Sequence, residues 1–239
     1  MQVPEIRSRV YAIAGLPSSH PRLTSAVIDG LWWEGAVRMV REARPGYLRR
    51  DTAQNLVPAQ DSYFLPVDSL IVLAVKAYDG SQWVRLAKKS QEELDDLDPD
   101  WERTGTGTAF YYDAGIHSAE DPDYGKRIIK LHPVPGSSVA SGLKIRDIRR
   151  PVVLSAVPSG RDYIDIPADY HEGLCCYAAW KFLRNGSENP RQDIGELVAL
   201  FQADLQHFVR SQKEENEYDH EPQVRIPMML ASMGYGGGL

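Results

Sequence analysis

Apolar residues recur every three or four positions at both ends of the chain and alternate with polar ones in its middle, so three regions separate by periodicity. In the first, Ile6, Val10, Ile13 and Ala14 follow Pro4 and stop at Gly15 and Pro17, which predicts a helix with a tolerated first-turn proline. A second helix starts near Thr24 or Ser25, either of which can cap it, and runs to about residue 43, ahead of Pro45-Gly46. Its stripe is Val27, Ile28, Leu31, Trp32, Ala36, Met39 and Val40; Gly30 and Gly35 interrupt the pattern and mark candidate close helix contacts. From about 51 to 165 the period shortens. Residues 63–66 and 71–78 read as strands, and Asp79-Gly80-Ser81 as a tight turn with a return strand over 82–86. Ser90-Gln-Glu-Glu93 has capping-box spacing and opens a short helix to about residue 96. Further strands are predicted over 109–112, 127–131, 143–148 and 152–156, separated by Pro and Gly clusters. Such a series of short strands predicts a compact antiparallel sandwich or barrel. Helical spacing then returns over 168–183, stopped by Asn185-Gly186. Asn189 and Pro190 open a last helix bearing Ile194, Leu197, Val198, Phe201, Leu205 and Phe208.

From Gln212 the pattern fails. Lys213, Glu214, Glu215, Glu217, Asp219 and Glu221 form a charged stretch, followed by Ile226-Pro-Met-Met-Leu230 with no partner to name in the chain. Such a tail is loose in a free monomer. Each of the four long helices has one apolar face and too little area to stand alone, so the expected solution is for them to pack together. The fold class is therefore α+β: a four-helix bundle from two N-terminal helices (1–50) and two C-terminal ones (166–211), with an inserted antiparallel β-sandwich or barrel lobe (51–165) and an irregular tail (212–239).

Composition narrows the function. Lys and Arg number 27 against 33 Asp and Glu, a net charge of −6, which argues against gripping nucleic acid phosphates as the main task. The apolar run 70–75 is strand-sized, no run approaches the length of a membrane span, and the N-terminus lacks a secretory pattern, so no membrane association and a reducing compartment are expected. The two cysteines, Cys175 and Cys176, are adjacent and could bridge each other only through a strained ring, so no disulfide framework is expected. Nucleophile elbow, phosphate loop and dinucleotide fingerprint are all missing, and Gly105-Thr-Gly107 reads as a flexible turn. His171, five residues from Cys176, is a weak metal candidate, and Asp95, Asp96, Asp98 and Asp100 read as a solvated acidic turn rather than a calcium loop. No catalytic, metal or cofactor site is expected. Trp32 and Trp33 are adjacent, so one goes to the core and the other is partly exposed, a candidate interface anchor. Arg49-Arg50 and Arg146, Arg149 and Arg150 are the basic clusters, the latter read as a solvated strand edge.

One further set of residues carries a resemblance. Leu97-Asp-Pro-Asp-Trp101 follows the Glu-rich capped turn, then come Phe110-Tyr-Tyr112, Ile128-Ile-Lys-Leu-His-Pro-Val-Pro135, Ile166-Pro-Ala-Asp-Tyr170 and Tyr177-Ala-Ala-Trp180. In that order, to about residue 211, the chain resembles the head-to-tail adaptor (connector) proteins of tailed bacteriophages, above all those of short-tailed phages. The resemblance implies a non-enzymatic virion protein of the neck, assembled in the host cytoplasm. It implies a homo-oligomeric ring, typically of twelve copies, docked below the portal protein. Such a ring extends the DNA channel, lets double-stranded DNA pass without sequence-specific binding, and anchors a distal stopper, nozzle or tail component. On that view Ile226, Met228, Met229, Leu230, Met233 and Tyr235 meet the portal or a neighbouring subunit. Trp32, Trp33, Arg49 and Arg50 are interface anchors, and the loops at Gly105, Gly107, Ser137, Ser138 and Gly142 face the distal partner. Two competing readings are a carbohydrate-binding or adhesin-like module, stacking sugar on Trp83, Trp101 or Tyr111, and a cell-wall hydrolase drawing a carboxylate pair from Glu92, Glu93, Asp95 and Asp98. The second is weakened because those carboxylates crowd one short helix, whereas a glycosidase needs two flanking the sugar.

Overall fold

A computed structural model of the chain describes residues 1–97, 110–116, 127–156, 161–186 and 194–218. Its elements run α1 (Val3–Ala14), α2 (Ser25–Ala43), β1 (Arg49–Leu56), β2 (Ser62–Phe64), β3 (Ser69–Tyr78), β4 (Trp83–Lys88) and α3 (Gln91–Leu97). Then follow β5 (Phe110–Ile116), β6 (Arg127–His132), β7 (Val139–Arg149), β8 (Val153–Ala156), β9 (Arg161–Ile164), α4 (His171–Gly186) and α5 (Ile194–Tyr218).

The helix ends have local causes. Before α1 the Gln2 backbone N–H donates to Glu5 Oε2 at 2.7 Å, and the helix stops at Gly15, whose φ of 65° is easy only for glycine. Thr24 caps α2, its Oγ1 accepting from the Val27 N–H at 3.4 Å. The capping box opening α3 is reciprocal: Ser90 N–H donates to Glu93 Oε2 at 2.8 Å and Glu93 N–H to Ser90 Oγ at 3.1 Å.

α4 packs on α1, α2 and α5. Its residues Leu174, Cys175, Tyr177, Ala178 and Ala179 are buried with Ile6 and Val10 of α1, Ile28 and Met39 of α2, and Phe201 and Phe208 of α5. Gly35 makes the α2–α4 approach possible: a Cβ there would stand 2.9 Å from Tyr177 Cδ1. Tyr177 is itself held, donating from its hydroxyl to Glu34 Oε1 at 2.6 Å. Gly30 is different, with nothing within 4 Å of its Cβ position.

The strands form a seven-stranded sheet in the order β1-β7-β3-β4-β5-β6-β2, and β8 and β9 form a separate two-stranded ribbon. Among the described residues all pairings are antiparallel except β4 with β5. The α+β class thus holds, with antiparallel sheets. A closed barrel is not what the pairings make: among the described residues no backbone ladder joins the outer strands β1 and β2. Side chains link them instead, Gln54 Nε2 donating to the Phe64 carbonyl at 2.6 Å and the Val57 N–H to the Tyr63 hydroxyl at 3.2 Å. Inside lies a second apolar cluster with Leu56, Tyr63, Val75, Leu86, Ile129, Leu143 and Ile145. Among the described residues, no helix is long and apolar enough to cross a membrane.

Three features depart from the sequence reading. β1 was not expected: its sequence, RRDTAQNL, has almost no apolar alternation, and it becomes a strand through its ladder to β7. Arg146 and Arg149 stand on β7, an interior strand between β1 and β3, rather than on a sheet edge, with Arg150 directly after it. Finally, α5 does not end at 211. Gln212 is buried, its Nε2 donating to Glu215 Oε2 at 2.8 Å, and exposed charged residues continue a helix already nucleated, at one backbone bond per residue.

The two glycines of α2 give opposite expectations. Gly35→Ala overpacks the α2–α4 contact and is expected to destabilise by about 1–2 kcal/mol, less than a bare overpacking cost because alanine favours the helix. Gly30→Ala gains helix propensity without a clash and is expected to stabilise by about 0.5–1 kcal/mol. Urea unfolding of both variants beside the parent checks the pair.

Candidate functional site

β7 is where the two apolar clusters meet. Side chains alternate along a strand, so Leu143, Ile145 and Asp147 share one face and Lys144, Arg146 and Ile148 the other. Leu143 and Ile145 belong to the sheet cluster, while Ile148 belongs to the helical one, with Leu70 buried and Ile71 and Leu73 packed beside it. A bulge in β3 between Val72 and Ala74 resets its phase against β7, so Ile71 pairs with Ile148 yet Lys76 still pairs with Lys144.

Asp147, with 0% of its side chain exposed, lies between the clusters. Arg50, its register partner on β1, donates to it from Nε at 3.0 Å and from Nη2 at 2.9 Å. The same guanidinium donates from Nη1 to Asp68 Oδ2 at 2.8 Å. The Asp147 hydrogen bond is the main reason the Arg50 guanidinium is held above its ordinary pKa, and the Arg50 hydrogen bond likewise lowers Asp68. A second pair, Arg149 with Asp165, ties the end of β7 to the segment leading into α4.

The outward face of the sheet has another character. Lys144, Lys76 and Arg85 are direct cross-strand partners on β7, β3 and β4, and all three are exposed. Next along β7, Arg146 donates to Asp51 from Nε at 2.7 Å and from Nη2 at 2.9 Å, and that hydrogen bond lowers the Asp51 pKa. Trp83, 38% exposed, leans on Tyr78, and the Lys144 ammonium sits 4.1 Å from its ring centroid.

The residues singled out from sequence do not converge on one place. Trp32 is buried at 2% and donates from Nε1 to Asp29 Oδ1 at 3.1 Å, while Trp33 is half-buried against the helical cluster. Arg50 is committed to its two carboxylates, and Arg49 neighbours it at the start of β1. Ser137 and Ser138 are exposed in the turn before β7. Gly142 is not in a loop: it is buried within β7, where a Cβ would meet Val139 Cβ at 2.7 Å. Gly105, Gly107, Ile226, Met228, Met229, Leu230, Met233 and Tyr235 lie outside the described residues, as do Asp98 and Trp101. Tyr111 is buried, and Lys144 stands against a face of Trp83, which leaves less room there for a sugar.

The reactive groups are enclosed. His171 is buried, its Nδ1 2.8 Å from the Met1 amine and its Nε2 2.8 Å from the Ile166 carbonyl, and burial is the main cause of its lowered pKa. Burial also pushes the thiols of Cys175 and Cys176 up to about 12 and about 11. Among the described residues no three of His, Cys, Asp and Glu gather as metal ligands. Glu92, Glu93, Asp95 and Asp96 are exposed on α3. Sequence reasoning missed the cation row and the Arg50–Asp147 pair, because both depend on strand register between distant segments.

The sequence profile of a family described as SU10 adaptor protein matches residues 3–226. No curated protein matches the chain. One solved structure, described as the neck of an empty GTA particle computed with C6 symmetry, holds a chain 13% identical to this one. That match covers 85% of this chain and 88% of the other, with a TM-score of 0.29.

The ion pairs generate two expectations. Arg50→Ala strands a fully buried carboxylate and is expected to cost about 3–5 kcal/mol in urea unfolding, while Arg50→Met with Asp147→Leu costs less than the two single changes summed. Asp51 and Asp68 titrate below their unfolded values, so the stability they contribute is complete above about pH 4 and is lost as pH falls through their folded values. Unfolding midpoints measured from pH 6 down to pH 2 are expected to fall, and Arg146→Ala makes that fall shallower by removing the Asp51 share.

Proposed function

The chain belongs to the SU10 adaptor protein family, and from that premise we propose that it is a structural protein of the phage neck. In this reading it forms a ring, typically of twelve copies, below the portal, extending the DNA channel and anchoring a distal stopper, nozzle or tail component. The observation that carries the reading is the family match, which spans both helical ends and the sheet between them.

The physical design agrees with it. A ring subunit transmits load between the head above and the tail below, and a strand shared by two apolar clusters stiffens the joint between them. The helical unit, 1–50 and 166–211 with the rest of α5, closes as a bundle. The lobe, 51–165, presents the exposed turn at Ser137 and Ser138 to the distal partner. The tail, whose sequence holds Ile226, Met228, Met229 and Leu230, docks on the portal or a neighbouring copy, where methionines adapt to irregular grooves. A net charge of −6 suits a conduit that DNA slides through rather than grips.

Purified protein mixed with its cognate portal is expected to give a ring on one face of the portal by negative-stain electron microscopy; a monomer that leaves the portal bare refutes the assignment. A chain ending at Tyr218 keeps α5 and the buried Gln212, so it is expected to unfold with the parent's cooperativity while losing portal docking. Undiminished docking by that truncation removes the tail from the proposal.

A further inference from the structure

The row Lys144–Lys76–Arg85 is an anomaly in a chain with more acids than bases. Like charges directly opposite one another destabilise a sheet, and here three stand side by side across three adjacent strands. Among the described residues none of the three makes an ion pair. Asp51 on β1 lies within the electrostatic reach of Lys76 and Lys144, but its hydrogen bonds go to Arg146. The row lies about 13 Å along β7 from Ile148, on the same face, so it borders the sheet area covered by the helices without being covered itself. Its members are held in register by the buried residues that alternate with them, Leu143, Ile145, Val75 and Leu86, so the charges have no freedom to spread.

The chain also carries the opposite pattern. α3 follows directly in sequence on β4, the strand that carries Arg85, and its sequence, QEELDDL, contains no Lys or Arg. Glu92 and Asp96 are exposed at i and i+4, about 6 Å apart on one helix face, against about 4.8 Å between adjacent strands in the row. The two surfaces match in sign and spacing, and within one chain no ion pair joins them among the described residues.

We propose that the cationic row of one copy docks against the acidic face of α3 on the next copy, as a head-to-tail contact between the sheet-rich lobes. This rests on the ring reading. The contact is heterologous, the row of one copy meeting α3 of another, and such a contact closes into a ring when the rotation between copies permits. Trp83, fixed beside Lys144, supplies apolar area at the rim of the row.

The test is zero-length carbodiimide crosslinking of portal-bound protein, made from an equal mixture of unlabelled and nitrogen-15-labelled full chain and read by mass spectrometry. Mixed-isotope links from Lys76 or Lys144 to Glu92 or Asp96 are expected. K76E/K144E is expected to reduce ring assembly about tenfold or more, because like charges then face each other. Adding E92K/D96K to the same chain is expected to restore both assembly and the links with reversed polarity. Rings that form without mixed-isotope links, or charge-reversed variants that assemble like the parent, overturn this proposal alone. Absence of any ring from the parent overturns it together with the ring reading. If K76E/K144E instead abolishes binding of a random-sequence DNA duplex and leaves assembly untouched, the row faces DNA and the proposal is wrong.

Discussion

The Arg50–Asp147 pair is the constraint around which the two halves of the molecule are arranged. A carboxylate with no solvent exposure is tolerable only where its charge is met and its lone pairs are filled, and a bidentate guanidinium does both. That requirement sets the register of β1 on β7, since a slip of one residue would turn Arg50 to the opposite face and leave Asp147 unmet. Register in turn decides which β7 residues face the helices and which face the sheet cluster. Replacing the pair with apolar residues would fill the same space, but it would remove the feature that tells β1 from its slipped alternatives.

Because Ile148 is packed by the helices and Ile145 by the sheet, displacement of one body is transmitted to the other through one strand. The β3 bulge is part of the same solution. Without it, Ile71 facing the helices would put Lys76 on the inner side, against Val75's neighbours in the core. One extra residue lets β3 serve the helical cluster at one end and the solvent at the other.

Much of this architecture was legible in the residues, and the failures share a cause. α1 and α2 carry their own start and stop signals, Pro4 and Gly15 for one, Thr24 and Pro45-Gly46 for the other. The β3–β4 hairpin carries its turn at Asp79-Gly80, where the Asp79 carboxylate accepts from the Ser81 and Gln82 N–H groups at 2.8 Å each. All of these interactions span a few residues. β1 has no such signal; what makes RRDTAQNL a strand is β7, some ninety residues away. That the described pairings do not close into a barrel follows equally from register that periodicity does not encode. Arg49-Arg50 was visible as a basic pair, yet only register assigns Arg50 to a buried acid. Lys76, Arg85 and Lys144 were visible as polar positions alternating with apolar ones, but their alignment into one row needs three strands at once. The charged stretch after Gln212 was misjudged for a different reason: apolar periodicity had run out, and helix propagation does not require it.

Segregation of charge also bears on symmetry. A two-fold contact brings the same patch of two copies together, so one centred on the cation row would oppose Lys76 to Lys76 or to its cationic neighbours, a repulsion of several kcal/mol when water is excluded. The acidic face of α3 is barred from self-pairing for the same reason. Both patches remain available for a contact in which unlike surfaces meet, and a chain with two unlike, mutually attractive surfaces assembles head to tail. The cost of aligning three cations in the folded subunit is small on an exposed surface, where water and salt screen them, and it is recovered only when an acidic surface excludes that water. A charge arrangement that mildly disfavours the isolated subunit therefore favours contacts between unlike surfaces over two-fold ones.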